Sequence, residues 1–587
     1  MKNSARKERN AAPRHFFPAL LLSLVFAAGI TAGATVTDKA INDLSEYQVA
    51  DEHARTQQVV SSELEEKIEF SGDTYLNRDN NARYLIITHD NFYNAIQPLA
   101  QWKHKKGMMT KVVKLSEIGS DSAHIRTYIL NAYNTWQIKP EFLLLVGAPD
   151  YVPWSSRSGP YTDNNYTNMN ADIYNEILSG RLTVHNETEA QTVVNKILLY
   201  ERTPNLEDSL WPINACLIAR EDYYTYPPVA GTDDSIYWSD IHHAKNFMLD
   251  ARYNTIDTLS KLLGNTSSNI IASVNNGRAF VLYRGSGVGN WWTPFDVSPD
   301  ATSNGAKLPI VLSITCRTIG LTGGPATAER WLLTGTPTTP RGAAGYFATT
   351  TTLTSGAYLR SAVCKGFFNG LFEQRKKTFG EACEEGRKKV YTMYSSVNEY
   401  KGFTTLGDPE MNIWTKIPQP LDVTHDSIVY IGDDSLYVQV NTADEPMESA
   451  LVCIMLDTLL YKYGYTSNTG GISLCLDTLI PGIMDLTVTG RNGIPHETTL
   501  VVANDPGIND LNNEVPRTEF RVNPTIVKNH VNVSGVEGKL DVYDVTGREI
   551  GNYEIIREGT LDFSELSPGV YFLKSKETKP IKIVKTK

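Results

Sequence analysis

Phe280-Val-Leu-Tyr-Arg-Gly-Ser-Gly-Val-Gly-Asn-Trp-Trp292 and Leu308-Pro-Ile-Val-Leu-Ser-Ile-Thr-Cys316 are two short apolar runs, each ending in small or reactive residues. Runs this short and this apolar predict strands buried on both faces. Two such strands deliver Gly285-Ser286-Gly287 and Cys316 to one edge of a sheet, where a site is expected.

The same pattern continues on both sides. Toward the N-terminus, strands are expected at Tyr84–Thr88, Thr110–Leu115, Glu141–Gly147 and Ile177–Leu182. Between them lie helical patterns at 91–107, 122–136 and 187–202, the last opened by Asn186 as N-cap. A second set starts at Trp211–Ala219 and includes a helix over His242–Leu249. Beyond Cys316 come a strand at Gly345–Thr349, helices at 358–373 and 379–394, and the run Leu406–Trp414. Alternating apolar strands and helices predict an α/β domain over residues 81–417, a mainly parallel sheet with helices on both faces. Tyr161–Asn175, rich in Asn, Asp and Tyr, reads as a surface loop.

Two prolines in Ile417-Pro-Gln-Pro420 mark the expected domain boundary. After it the apolar period switches to two, at Leu436–Val440, Ala450–Met455, Gly471–Leu476 and Met484–Thr489, which predicts a β-sandwich over 418–505. A polar linker, 506–515, leads to a last module, 516–587, expected to be a second β-sandwich domain.

The first residues carry Lys2, Arg6, Lys7, Arg9 and Arg14, then the apolar run Phe16–Ala28 and Ala32-Gly33-Ala34. The run is short of the roughly 20 residues a spanning helix needs. Residues 1–34 therefore read as a cleaved secretory signal, 35–80 as a polar lead-in, and the mature chain as lacking a transmembrane segment. Removing five Lys/Arg and one Glu moves the formal net charge from −11 to −15. Such acidity disfavours nucleic acid and anionic lipid as partners. Six cysteines in 587 residues are too few for a disulfide scaffold, although export permits bridges, and Cys453 and Cys475 in neighbouring apolar strands could pair.

From Tyr84 to Trp414 the chain resembles the gingipain family of cysteine peptidases. The matches are Trp102-Lys103 with Gly107, Leu144–Gly147, Gly180-Arg181-Leu182, Lys196 with Tyr200-Glu201, Tyr283-Arg284-Gly285 with Trp291, Leu308-Pro309 before Cys316, and Leu406-Gly-Asp-Pro409. The resemblance implies a caspase-like catalytic domain followed by an immunoglobulin-like sandwich. Residues 516–587 resemble the C-terminal sorting domain of the type IX secretion system through Asn523-Pro524, Val542–Gly547, Leu566–Phe572 and Lys582. That implies passage through the periplasm to the outer-membrane surface or beyond, with the type IX machinery and a protein or peptide substrate as partners.

The resemblance also implies Cys316 as nucleophile and Gly285 and Gly287 as backbone positions beside the oxyanion, and the charge of Arg317 would favour the thiolate if it points inward. The family's histidine falls at Ser286, whose hydroxyl cannot serve as a base near neutral pH. His185 stands at the family's acidic position. Two readings of it are open: a replacement base acting on Cys316 through Ser286 or a water, or a surface residue at a strand end. His242 and His243 are expected to open a helix, and His89, His104 and His124 to lie on loops or helix surfaces. No transition-metal motif is present. The resemblance implies structural calcium as an option, for which Asp163, Asp172 and Asp233-Asp234 are loop carboxylates, and no ligand set follows. Two functions are expected to compete: a secreted cysteine peptidase with impaired or re-wired activity, and an inactive homologue that binds at the cell surface.

Overall fold

The computed structural model describes residues 81–587 except 171, 207–209, 224–226, 323, 354–355, 444, 478, 505–519 and 576–579. The expected signal peptide, lead-in and linker lie outside the described residues.

The strands are β1 (Tyr84–Thr88), β2 (Thr110–Lys114), β3 (Phe142–Val146), β4 (Leu178–Leu182) and β5 (Asn214–Ala219). They continue with β6 (Thr255–Ser260), β7 (Phe280–Arg284), β8 (Ile310–Ile314), β9 (Gly345–Thr349) and β10 (Phe403–Leu406). They join in the order β2-β1-β3-β4-β10-β9-β8-β7-β5-β6. β1, β3, β5 and β7 to β10 are buried along their whole length, whereas the two edge strands are partly exposed. That difference follows from helices covering both faces.

The extended pairings are parallel except β9 with β10, which is antiparallel, and β4 touches β10 at one residue pair, Arg181 with Leu406. Tyr84 Oη, at the start of β1, donates to Asp408, just past the end of β10, so the starts of β1 and β9 and the end of β10 lie at one edge. At the other edge Trp154, beyond the end of β3, donates its Nε1 to Leu321 O, in the segment that follows β8.

The helices that position the site are α1 (Tyr93–Lys105), α2 (Ser122–Thr135), α3 (Glu187–Glu201), α4 (Asp233–Asp250), α5 (Ser267–Asn275), α6 (Thr327–Leu333), α7 (Ala357–Phe368) and α8 (Phe379–Tyr394). α4 starts nine residues before the expected His242. Thr232 caps it, and Asp233 and Asp234 fill a polar first turn that favours the positive helix end. His242 and His243 thus lie within the helix instead of opening it. Tyr161–Asn175 is likewise no surface loop, for Asp163, Asn164, Tyr166 and Thr167 are buried. The reason is Arg181, fully buried in β4, which donates to both Asp163 carboxylate oxygens and to the carbonyls of Gly147 and Val152.

Three of the sequence matches meet in one buried cluster. Lys103 Nζ touches Asp408, Glu201 and Glu410 at 2.5, 2.6 and 2.7 Å, and Lys106 Nζ reaches Glu201 and Glu410. Trp102 Nε1 and Tyr84 Oη donate to Glu201 and Asp408. Against the upward push of burial, the two ammonium groups hold the Glu201 carboxyl down at about 2.

Beyond Trp414 the alternation predicted for the sandwich is seen in Ser435–Thr442, where Leu436, Val438 and Val440 face the core. Gln419–Pro420 does not stay outside the sheet as a linker. It pairs with Gly493–Ile494 as an edge strand, where a missing N–H is tolerated. The Cys453–Cys475 bridge that the sequence left open is not formed. Both thiols are free, Cys453 buried in the sheet with Leu451–Leu456 and Cys475 exposed in the sheet with Ser435–Thr442. Residues 521–585 form a further sheet built on the paired strands His530–Asp544 and Glu549–Asp562. No helix among the described residues is long and apolar enough to cross a membrane.

The sandwich docks on α1 and its surroundings. Arg83 donates to Tyr465 Oη at 2.7 Å, and Arg202 pairs with Glu497 at 2.6 Å. His104 is not a surface residue: its ring stacks on Tyr461 at 4.4 Å, Tyr461 Oη donates to its carbonyl, and its Nδ1 accepts from Thr110 N. Burial pushes this imidazole down to about 4. An unfolded histidine, at 6.5, takes a proton first, so the contribution is complete above 6.5 and is lost as pH falls through 4. Urea unfolding at descending pH is expected to show up to about 3 kcal/mol lost from this group, and His104→Gln to flatten that part of the profile.

Candidate active site

β7 and β8 are in parallel register, with Tyr283 opposite Ser313 and Arg284 opposite Ile314. Ser286 and Cys316 each follow two residues after that last pair, so both arrive at the same edge. Thr315 Oγ1 donates to Gly285 O at 2.7 Å, and Gly289 N donates to Arg317 O, stitching the two turns together. Gly285 has φ +154°, and a Cβ there would meet Arg220 Cβ at 2.6 Å. A Cβ on Gly287 would lie 2.7 Å from Asn290 O, in the short hairpin where Gly287 pairs with Trp291. Both glycines are therefore required by close backbone approach.

Below this edge, the Arg284 guanidinium is buried. It donates to Asp240 Oδ2 at 2.6 Å and to the carbonyls of Ile314 and Ala357, tying β7, β8 and α7 together. Ser286 Oγ donates to Asp222 Oδ2 at 2.9 Å, and Ser286 O accepts from Tyr283 Oη and Trp292 N.

Cys316 is half-buried, and its sulfur lies between a donor and an acceptor. Arg360 Nη1 donates to Sγ at 2.9 Å, and Leu353 O lies 3.6 Å away. Arg360 comes from the first turn of α7 and is itself buried. Its Nε donates to Glu399 Oε2 at 3.1 Å, its Nη2 to Thr351 Oγ1 at 3.3 Å, and Thr351 Oγ1 to Glu399 Oε1 at 2.6 Å. Burial works against the guanidinium charge, but Glu399 and the sulfur outweigh it and raise the Arg360 pKa. Among the described residues the cation hydrogen-bonded to the sulfur is thus Arg360, whereas Arg317 contributes its backbone, donating to Thr351 O. The sequence signal for Arg360 is a charge within Leu359-Arg-Ser-Ala-Val-Cys364, a stretch that is buried throughout.

His185 lies three residues past β4 and close to Glu329, the carboxylate that holds Gly320 N in the loop after Cys316. Its Nδ1 and backbone N both meet Glu189 Oε2, and its carbonyl accepts from Tyr151 Oη. Among the described residues no hydrogen bond joins it to Ser286 or Cys316. His185→Ala is expected to leave the rate of Cys316 alkylation unchanged, checked by mass mapping of iodoacetamide labelling. His89, His124 and His243 are engaged by Asn91, Asp121 and Asn369 respectively. Glu329 accepts from Gly320 N and Ala326 N and pins the loop after Cys316, and burial pushes its carboxyl up to about 7.

Three of the four carboxylates considered for calcium are engaged by the chain itself: Asp163 by Arg181, Asp172 by Asn168 and Tyr174 N, Asp234 by the backbone of Asp222 and Tyr223. Among the described residues one carboxylate group is close enough to share an ion, Glu201, Asp408 and Glu410. Lys103 and Lys106 fill it, so it does not fit a divalent cation.

A thiol at the end of a buried strand, beside a glycine-flanked turn in a sheet covered by helices, defines a caspase-like cysteine-peptidase scaffold. The chain belongs to peptidase family C25, whose sequence model matches residues 77–414. A secretion system C-terminal sorting domain matches residues 523–586. Gingipain R1 of Porphyromonas gingivalis is 24% identical over 452 residues, covering 73% of this chain and 43% of that protein. Gingipain R2 of the same organism is 23% identical over 494 residues, covering 80% of this chain and 63% of that protein. This chain thus spans less than two thirds of either relative. The crystal structure of the Arg specific cysteine proteinase gingipain R superposes with a TM-score of 0.65 at 22% identity, covering 73% of this chain and 100% of that one. The fold is that of the gingipains, and the sorting domain makes this an exported, cell-surface protein of the type IX route.

Proposed function

We propose that this chain is an exported peptidase-fold protein that holds extended peptides at the Ser286–Cys316 edge and leaves their amide bonds intact. One observation carries the reading: among the described residues no imidazole is hydrogen-bonded to Cys316 Sγ, and Ser286 donates to Asp222 instead. Amide hydrolysis by a thiol needs a group that takes the thiol proton and returns it to the leaving amine. A serine hydroxyl does neither near neutral pH, and Arg360 stays protonated.

The test compares the mature chain with Cys316→Ala on a mixed library of extended peptides. Equal, background cleavage by both proteins, with saturable peptide binding to both, is the expected result. Saturable cleavage that disappears in Cys316→Ala would overturn the reading and restore the peptidase.

A further inference from the structure

Arg360 changes what the thiol is suited to do. A guanidinium 2.9 Å from sulfur stabilises an anionic sulfur, and Arg360 is a permanent cation because its proton cannot be given up in water. The pair therefore supplies half of what a thiol protease needs. It favours the nucleophile but has no proton for a leaving amine, so an adduct on an amide carbon collapses back to thiolate and peptide. A leaving group that departs as a stable anion needs no such proton. Disulfides meet that condition, since the sulfur displaced is itself a thiolate.

The other thiols differ from Cys316 in kind. Cys216, Cys364, Cys383 and Cys453 are buried, and burial pushes Cys216 and Cys383 up to about 12. Cys475 is exposed, and Lys462 nearby in the sandwich is spent on Asp477. Among the described residues Cys316 alone combines partial exposure with a guanidinium hydrogen-bonded to its sulfur. Glu399 and Thr351 fix that guanidinium from behind, so its approach to the sulfur is set by the fold and not by a mobile side chain.

We propose that Cys316 and Arg360 form a thiol–disulfide exchange site for disulfides met outside the cell. This rests on the reading above, that amides are not turned over. The Cys316 thiol releases its proton to water, and its thiolate attacks one sulfur of R–S–S–R. The Cys316–S–S–R bond forms as the original S–S bond breaks. The electron pair leaves with R–S⁻, which takes up a proton according to its own acidity. No net oxidant is consumed, because one disulfide is exchanged for another.

The experiment uses the mature chain with Cys475→Ser, the neutral disulfide dithiodipyridine as probe, and peptide mapping to locate the adduct. At about pH 7 Cys316 is expected to exchange about 10-fold faster than free cysteine, since a few per cent of a free thiol is ionised there. Arg360→Gln is expected to remove that advantage, and Arg360→Lys to keep part of it. Arg360→Gln leaves the buried Glu399 without its cation and risks misfolding, so Glu399→Gln is the second variant. With the guanidinium no longer shared, it is expected to exchange as fast or faster. Exchange no faster than free cysteine in the Cys475→Ser chain, or a Glu399→Gln variant slowed to that rate, would overturn the proposal. Peptide cleavage dependent on Cys316 would instead overturn the underlying reading, whatever the exchange rate, so the two failures are distinguishable.

Discussion

Replacing Ser286 by histidine is expected to raise Cys316-dependent peptide hydrolysis by about 10²–10⁴-fold, the range a positioned base contributes. Position 286 leaves β7 beside the end of β8, so a side chain there starts on the same edge as the thiol. Asp222 already lies 2.9 Å from Ser286 Oγ and offers a carboxylate to orient an imidazole, while Arg220 balances its charge. The backbone is prepared as well, since Gly285 and Gly287 hold the turn whatever residue stands between them. Initial rates on a fluorogenic peptide mixture would be measured for the wild type, Ser286→His, and Ser286→His with Cys316→Ala. Adding Asp222→Asn should reduce the gain. A folded Ser286→His protein no faster than wild type would show that the edge lacks more than its base.

Lys103→Met is expected to cost about 3–5 kcal/mol of stability, the loss found when one member of a buried ion cluster is removed. Lys103 is completely buried and stands among three carboxylates, of which Lys106 reaches two. Without it Asp408 keeps only Tyr84 Oη and its own chain as partners. A domain is stable by about 5–15 kcal/mol, so the loss is a large part of the whole. Lys105, two residues on, pairs with Asp485 and Glu497 at the surface, and Lys105→Met is expected to cost under about 1 kcal/mol. Denaturant midpoints of the two variants separate the cases, and similar losses would mean the cluster contributes no more than a surface pair.

The strands were readable because burial on both faces demands unbroken apolar runs, which β1, β3, β7 and β8 show. The polar first turn of α4 carries no apolar period, so its start could be found only from the Thr232 cap. His104 looked like a helix-surface residue because its partner Tyr461 lies 357 positions away. Arg360 and Cys316 are 44 positions apart, with no local pattern connecting them.

By itself the sequence determined the parallel α/β layers, the sandwich, the sorting module, and the placing of Ser286 on the turn next to Cys316. Only the tertiary structure decided which side chain meets the thiol. Glu189 in the first turn of α3 takes both Nδ1 and the backbone N of His185, and the first turn of α7 brings Arg360 to Cys316. The reason is physical: the period of a strand records which faces are buried, whereas its direction and its neighbours depend on contacts between residues far apart in the chain.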